Sequence, residues 1–187
     1  MRLFIAINLP PVIRRSIVDA TARMREAAPS VSWVTEERLH LTMEFLGEQP
    51  DDAVPELEAA LTAATRGHAP VALTLRGLGA FPNLRSPRIV WLGVEAEPKL
   101  ELLQHDLARA CAELGYERDA RAFRPHITLG RARSPLRAEA ARALKTAARA
   151  VTWYANVEAT SVDIMESRLL PSGARYGAVA AIPLRGG

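Results

Sequence analysis

The strings His40-Leu41-Thr42-Met43 and His126-Ile127-Thr128-Leu129 have the same form and begin 86 residues apart. Each places a His and a Thr two residues apart, with apolar residues between and after them. In a β-strand, residues two apart point to the same face. The His and Thr of each string are therefore predicted to share one face of a sheet, while the apolar residues point into the core.

The rest of the chain repeats at the same offset of 86 residues, and each half reads as strand, helix, strand, helix, strand, strand. This order predicts an α+β fold of two pseudo-twofold-related lobes, each a mainly antiparallel sheet with outer helices. The active-site cleft is expected between the lobes, with residues 1–187 forming a single bilobal domain. Two segments rich in Pro, Gly and Ser, residues 83–87 and 170–175, are predicted to be loops that rim this cleft.

The composition is that of a globular protein, with 187 residues, 49% hydrophobic residues and 24% charged residues. The formal net charge of +3 permits a polyanionic partner without demonstrating one. Cys111 is the sole cysteine, which excludes an intrachain disulfide and favours a small buried filler. No apolar run is long enough for a signal peptide or a membrane span, so we expect a cytoplasmic monomer with no membrane partner.

Paired histidines can divide acid and base roles near pH 7, and threonine hydroxyls can donate to phosphate oxygens. Two of each on facing elements favour in-line hydrolysis of a phosphodiester, in which one imidazole activates water and the other protonates the leaving oxygen. Symmetry alone does not say which histidine has which role. The other histidines, His68 and His105, do not correspond at the offset and are expected on the solvated surface.

Three other chemistries lack their sequence patterns. No H-x-x-x-H or C-x-x-C spacing accompanies the strings, so a zinc site is not predicted. No G-x-S-x-G turn occurs for a serine hydrolase, and no P-loop or G-x-G-x-x-G sequence occurs for a nucleotide cofactor. The sequence therefore predicts neither a metal nor a cofactor.

With their flanking residues, the two strings resemble the signatures of the two-histidine (2H) phosphoesterases. The extended strings are Leu39-His40-Leu41-Thr42-Met43-Glu44-Phe45-Leu46-Gly47 and Phe123-Arg124-Pro125-His126-Ile127-Thr128-Leu129-Gly130-Arg131. The most similar branch is the bacterial RNA 2′,3′-cyclic phosphodiesterases, also called 2′-5′ RNA ligase-like proteins. Matching pieces occur along nearly the whole chain. They include Arg2-Leu3-Phe4-Ile5-Ala6-Ile7, Trp33-Val34, Gly79-Ala80-Phe81-Pro82, Pro87-Arg88-Ile89-Val90-Trp91-Leu92-Gly93-Val94 and Ser167-Arg168-Leu169 with Gly173 and Tyr176.

This resemblance implies hydrolysis of an RNA 2′,3′-cyclic phosphate end to a 2′-phosphate, with no metal or cofactor. It implies that His40 is the proton donor and His126 the proton acceptor. Thr42 and Thr128 would then bind phosphate oxygens. The implied partners are RNA with 2′,3′-cyclic phosphate ends, or small cyclic nucleotides.

Four further residues are predicted to bind substrate by the same resemblance. Arg131 is expected to add positive charge beside the phosphate, and Arg168 is a weaker candidate for contact with phosphate or ribose. Phe45 and Phe123 are candidates for stacking, although packing in the core is the favoured interpretation of both. Phe45 stands at the offset position of Arg131, so the site is expected to be asymmetric there.

The sequence leaves three alternatives open. The same two histidines would serve 2′-5′ ligation of RNA ends, which we expect to be secondary to hydrolysis because water is abundant. A module that binds nucleotides or RNA ends without turnover would fit the same site. A phosphodiesterase for a small cyclic nucleotide or an ADP-ribose cyclic phosphate is the third, since no track for long RNA is evident.

Overall fold

The computed structural model describes residues 1–95, 97–117, 121–170 and 173–186. Within these residues the five α-helices are α1 Pro11–Ala20, α2 Ala22–Ala27, α3 Val54–Ala64, α4 Pro98–Glu113 and α5 Ala138–Ala150. The nine strands are β1 Arg2–Asn8, β2 Ser32–Trp33, β3 His40–Glu48, β4 Val71–Phe81, β5 Ile89–Val94, β6 His126–Arg131, β7 Tyr154–Ala159, β8 Ser161–Leu170 and β9 Gly173–Pro183.

These strands form one sheet in the order β7-β4-β5-β6-β3-β1-β8-β9, with β2 added to β6. Every described strand pair is antiparallel. We call β3-β1-β8-β9 the His40 half of the sheet, and β6-β5-β4-β7 with β2 the His126 half. The predicted α+β class with a mainly antiparallel sheet is confirmed, and the two predicted sheets are halves of one sheet joined by the pair Leu41 and Ile127.

The helices pack on one face of the sheet and cross between the halves. Helix α3 packs on β9 of the His40 half, and α4, which follows β5 of the other half, packs on α3 and β3. Helix α5 packs on β4 of the His126 half, and α2, which follows β1, packs on α5. Each half of the sheet is therefore covered by one helix from its own part of the chain and one from the other part.

Alternation along β1 shows which face is the core. Leu3, Ile5 and Ile7 are buried against the helices in the main core. Phe4 and Ala6 point the other way, where they form a small cluster with Met165 and Tyr176. We call this second side, away from the helices, the open face of the sheet.

Both strands that carry the strings contain a β-bulge one residue after the Thr. Met43 is the extra residue of β3, because Ile5 pairs with Glu44 and Ala6 pairs with Thr42. Leu129 is the extra residue of β6, because Val90 pairs with Gly130 and Trp91 pairs with Thr128. A bulge turns the following residue to the opposite face. The burial pattern along the first six residues is consequently the same in both strands, with the sixth residue exposed.

The prediction that residues 83–87 form a loop is confirmed, and the prediction for residues 170–175 is wrong at the described positions 170 and 173–175. The segment at residues 83–87 is a loop in which the Asn83 side-chain oxygen accepts the backbone N–H groups of Arg85 and Ser86. At residues 170–175 the strands β8 and β9 continue to Leu170 and resume at Gly173. Pro171 and Ser172 lie outside the described residues. At the described residues 173–175, pairing with β8 overrides the local sequence signal for a loop. None of the described helices has the length and hydropathy needed to span a membrane.

Leu41 is fully buried where the two halves join, so we expect Leu41→Ala to lower the free energy of unfolding by about 2–5 kcal/mol. Leu102→Ala is the matched control, because Leu102 is 55% exposed on α4 and should change it by no more than about 0.5 kcal/mol. Urea unfolding followed by circular dichroism measures both. Equal effects of the two variants would contradict the importance of the junction.

Candidate active site

The pair Leu41 and Ile127 brings the two strings together on adjacent antiparallel strands. Both residues are buried in the core, so their neighbours in each strand point to the open face. In an antiparallel ladder the residue after one member of a pair lies opposite the residue before the other member. His40 is therefore beside Thr128, and Thr42 is beside His126. The four side chains form a compact polar group on the open face, and all four are half-buried.

Both imidazoles are anchored in the same way. His40 Nδ1 lies 2.8 Å from the Arg38 carbonyl oxygen, and His126 Nδ1 lies 2.6 Å from the Arg124 carbonyl oxygen. A carbonyl can only accept, so Nδ1 is the protonated nitrogen in each neutral ring. Proton exchange with a substrate is thereby left to Nε2. At His40, Nε2 is also 3.1 Å from the Thr42 hydroxyl.

Aromatic rings surround each histidine. Phe4 lies 5.0 Å from the His40 ring, and Tyr176 lies 6.1 Å from it. Phe81 meets the His126 ring edge-on at 5.1 Å. Such rings lower the local dielectric and fix the imidazole orientation. Sequence reasoning gave no role to these rings, because strands distant along the chain bring them to the histidines.

The pKa of His40 is lowered from its usual value. Burial is the largest cause, since it disfavours the charged imidazolium. The hydrogen bond to the Arg38 carbonyl opposes this effect, and the positive charges of Arg38 and Arg131 lower the pKa further. Arg38 acts on His40 from the turn Glu36–Arg38, and Arg131 acts from the end of β6.

The bulges decide where Phe45 and Arg131 point. Strict alternation would turn both toward the core, as the sequence analysis expected for Phe45. That expectation is wrong, because the bulge at Met43 turns Phe45 to the open face, where it is 57% exposed and 6.4 Å from the Phe4 ring. The bulge at Leu129 likewise turns Arg131, which pairs with Ile89, toward the side of the histidines. Phe123 is half-buried and packs against the main core, as favoured.

The structure does not bring Arg168 to this group. Along β8, Glu166 pairs with Leu3, which faces the helices, and Arg168 follows Glu166 on that same face. The Arg168 Nε donates to a Glu166 carboxylate oxygen at 3.0 Å. The predicted substrate contact of Arg168 would need its side chain on the opposite face of the sheet.

Three other residues discussed in the sequence analysis have clear positions. Cys111 is 2% exposed, and burial followed by the charge of Glu44 raises its pKa to about 12, as expected for an inert filler. The surface prediction for His105 is confirmed. For His68 it is wrong, because His68 Nε2 lies 2.8 Å from the Asp106 carboxylate and only 11% of its side chain is exposed. This contact joins the turn after α3 to α4.

A cavity of about 640 Å³ lies beyond the end of β3 between Phe45, Pro50, Glu56 and Tyr116, and neither His40 nor His126 lines it. Among the described residues no group of three or more His, Cys, Asp or Glu side chains is arranged to hold a metal ion.

Comparison with known proteins agrees with this arrangement. Residues 10–167 match the 2′-5′ RNA ligase superfamily. A Methanothermobacter thermautotrophicus protein named RNA 2′,3′-cyclic phosphodiesterase is 31% identical, over 94% of this chain and 95% of its own length. A Geobacillus stearothermophilus protein of the same name is 34% identical over 98% of this chain, which spans 57% of that relative's length.

Two solved structures have the same fold. The crystal structure of TT0787 from Thermus thermophilus superposes with a TM-score of 0.82 at 31% identity, covering 100% of this chain and 99% of the other. The crystal structure of E. coli LigT complexed with 3′-AMP superposes with a TM-score of 0.71 at 30% identity, covering 98% and 97%. The chain belongs to the 2′-5′ RNA ligase superfamily, as its paired strings had indicated.

The charge of Arg131 lowers the pKa of His40, so Arg131→Gln should raise it. We expect His40 in the free protein to titrate below about pH 6.5, and at higher pH in the variant. Proton NMR of the imidazole ring measures both, with His40→Ala to assign the signal. Arg109→Gln on the outer surface of α4 removes the same charge at a distance and should leave the titration unchanged. An equal shift in both variants would contradict a local effect.

Proposed function

We propose that this protein hydrolyses RNA 2′,3′-cyclic phosphate ends to 2′-phosphate by acid–base catalysis between His40 and His126, without a metal. His126 Nε2 takes a proton from water, and the water oxygen attacks phosphorus. The bond from phosphorus to the 3′ oxygen breaks, and that oxygen takes a proton from His40 Nε2. His40 ends neutral and His126 ends protonated, so a proton exchange with solvent completes the cycle.

The observation that carries this proposal is the matched anchoring of two imidazoles on adjacent strands. Each ring donates from Nδ1 to a carbonyl two residues before it and has Nε2 for chemistry. In-line displacement needs the base and the acid on opposite sides of phosphorus, and the antiparallel pairing sets the two histidines diagonally across the group.

Three neighbouring groups would stabilise the negative charge that builds up on the phosphate. Thr42 and Thr128 alternate with the histidines across the group and can donate to the non-bridging oxygens. The Arg131 guanidinium suits the same oxygens through paired hydrogen bonds. The exposed Phe45 ring, beside Phe4, offers a surface on which a base can stack.

The prediction of a hydrolase is supported by relatives named RNA 2′,3′-cyclic phosphodiesterase, such as the Methanothermobacter protein, which this chain matches over 95% of that protein's length. The Thermus thermophilus relative of the same name is 38% identical over 72% of this chain. If a 5′-hydroxyl takes the place of water, the same groups would form a 2′-5′ linkage. We propose this ligation as a side reaction, because water is far more concentrated than RNA ends.

His40→Ala and His126→Ala should each lower the rate by roughly 10²–10⁴, because each removes one proton-transfer group. The substrate is a short RNA ending in a 2′,3′-cyclic phosphate, incubated with EDTA and analysed for the 2′-phosphate end. His105→Ala is the matched control, since His105 is exposed on α4. Loss of the wild-type activity in EDTA would overturn the metal-free reaction. Near-full activity of both histidine variants would overturn the site.

Thr42→Val and Thr128→Val should each cost about tenfold, which is the loss of one hydrogen bond of roughly 1.4 kcal/mol to the phosphate. The loss should be in kcat more than in KM if these bonds strengthen as charge builds up in the transition state. Steady-state kinetics on the same RNA measures the division. A change confined to KM would show that the hydroxyls only hold the ground-state substrate.

Binding of 3′-AMP without any turnover would favour the binding-module alternative for the whole protein.

A further inference from the structure

Arg38 contacts the residues around His40 in two ways, through its backbone carbonyl and through its side chain. It ends the 3₁₀ turn Glu36–Arg38 just before β3, and its carbonyl oxygen anchors His40 Nδ1. Its guanidinium lies over the Tyr176 ring, 4.3 Å from the ring centre. The Tyr176 ring is in turn 6.1 Å from His40 and 5.6 Å from Phe4. The arginine is therefore part of the wall of rings around His40.

The Arg38 side chain makes no polar bond within the part of the chain that the structure describes, and its Nε is buried without a hydrogen-bond partner. Arg25 is stacked on the Trp33 ring and also has a buried nitrogen without a partner, Nη2, but it differs because its Nη1 donates to the Val34 carbonyl at 3.0 Å. Arg25 thus serves the fold. The Nη groups of Arg38 are left as donors for a ligand, and stacking on Tyr176 fixes the plane of the guanidinium in advance.

A phosphate is the ligand that this arrangement favours. A planar guanidinium with unused donors binds phosphate oxygens through paired hydrogen bonds. No described carboxylate forms an ion pair with Arg38, although many of the surface arginines have one. The charge of Arg38 also reaches His40, where it contributes more than the charge of Arg131 to lowering the pKa.

The position of Arg38 suits a phosphate other than the reacting cyclic phosphate. The reacting phosphate has to lie at His40 Nε2, on the side of Thr42, which is 3.1 Å from that nitrogen. The Arg38 guanidinium instead lies over the Tyr176 ring, whose centre is 6.1 Å from the centre of the His40 ring. Arg131, turned to the open face by its bulge, is the cation for the cyclic phosphate.

We infer that Arg38, stacked on Tyr176, binds a second phosphate of the substrate, the one on the 5′ side of the terminal nucleoside. The inference rests on the proposed function and names its substrate class. The protein prefers an end that carries a 5′-side phosphate to a bare nucleoside 2′,3′-cyclic phosphate. Such a phosphate belongs either to the next nucleotide of an RNA chain or to a 5′-phosphorylated mononucleotide.

Three substrates separate these sources. They are adenosine 2′,3′-cyclic phosphate, the same compound with a 5′-phosphate, and the dinucleotide ApA ending in a 2′,3′-cyclic phosphate. Arg38→Gln also removes a charge that lowers the pKa of His40, and that effect is common to all three substrates. The variant should therefore lower kcat/KM on the last two about tenfold more than on the first, with the additional loss mainly in KM. Arg38→Lys keeps the charge but not the planar guanidinium. It should lower kcat/KM on the same two substrates by a smaller factor. Arg109→Gln controls for net charge.

The outcomes are distinct. A loss on both phosphate-bearing substrates supports a phosphate site that does not need a second nucleoside, and a loss on the dinucleotide alone supports a site for the RNA chain. An equal loss on all three, or no loss, overturns the inference. Wild-type failure on every substrate would overturn the proposed function instead. Calorimetric binding of adenosine 2′-phosphate and of ApA 2′-phosphate to wild type and Arg38→Gln would then decide the Arg38 inference without turnover.

Discussion

The cross-strand pair of Leu41 and Ile127 is the constraint on which the rest of the site depends. It is the described pairing between β3 and β6, and therefore the place where the two halves of the sheet meet. Because the strands are antiparallel, this one pair fixes which polar residue of one string stands beside which residue of the other. The apolar members of the strings thus position the polar ones, and the core and the site are set by the same four-residue pattern.

The two bulges extend this symmetry and then break it. They occur at offset-related positions, Met43 and Leu129, and each turns the residue two places later to the open face. The β-bulge is the same in β3 and β6, but the side chains that it turns to the open face differ: Phe45 in β3 and Arg131 in β6. An aromatic ring and a cation are the two kinds of group that a nucleotide end needs, one for its base and one for its phosphate. The same backbone geometry in the two strands can therefore place side chains of different chemistry beside the histidines.

Much of the fold and the centre of the site could be predicted because they follow from local patterns. The two-residue period of a strand placed His40 and Thr42 on one face, and the family resemblance was confirmed. The same period failed at Phe45, because a bulge is decided by pairing with β1 and leaves no local signal. The predicted position of Arg168 beside the histidines was wrong for a related reason, because the face on which it lies depends on the register of β8 with β1. The rings of Tyr176 and Phe81 reach the histidines from distant strands, and only tertiary structure brings them there.

The crossing of the helices has a consequence for any shortened form of the chain. Helix α4 follows β5 but covers β3, while α2 follows β1 but packs with α5 on the other half. A fragment that kept only the strands of one half would leave part of its apolar sheet face exposed to water, and would have to borrow the missing helix. Two identical fragments could supply it to each other by exchanging helices. In the intact chain a single polypeptide supplies all the helices that cover both halves of the sheet, so no exchange is needed.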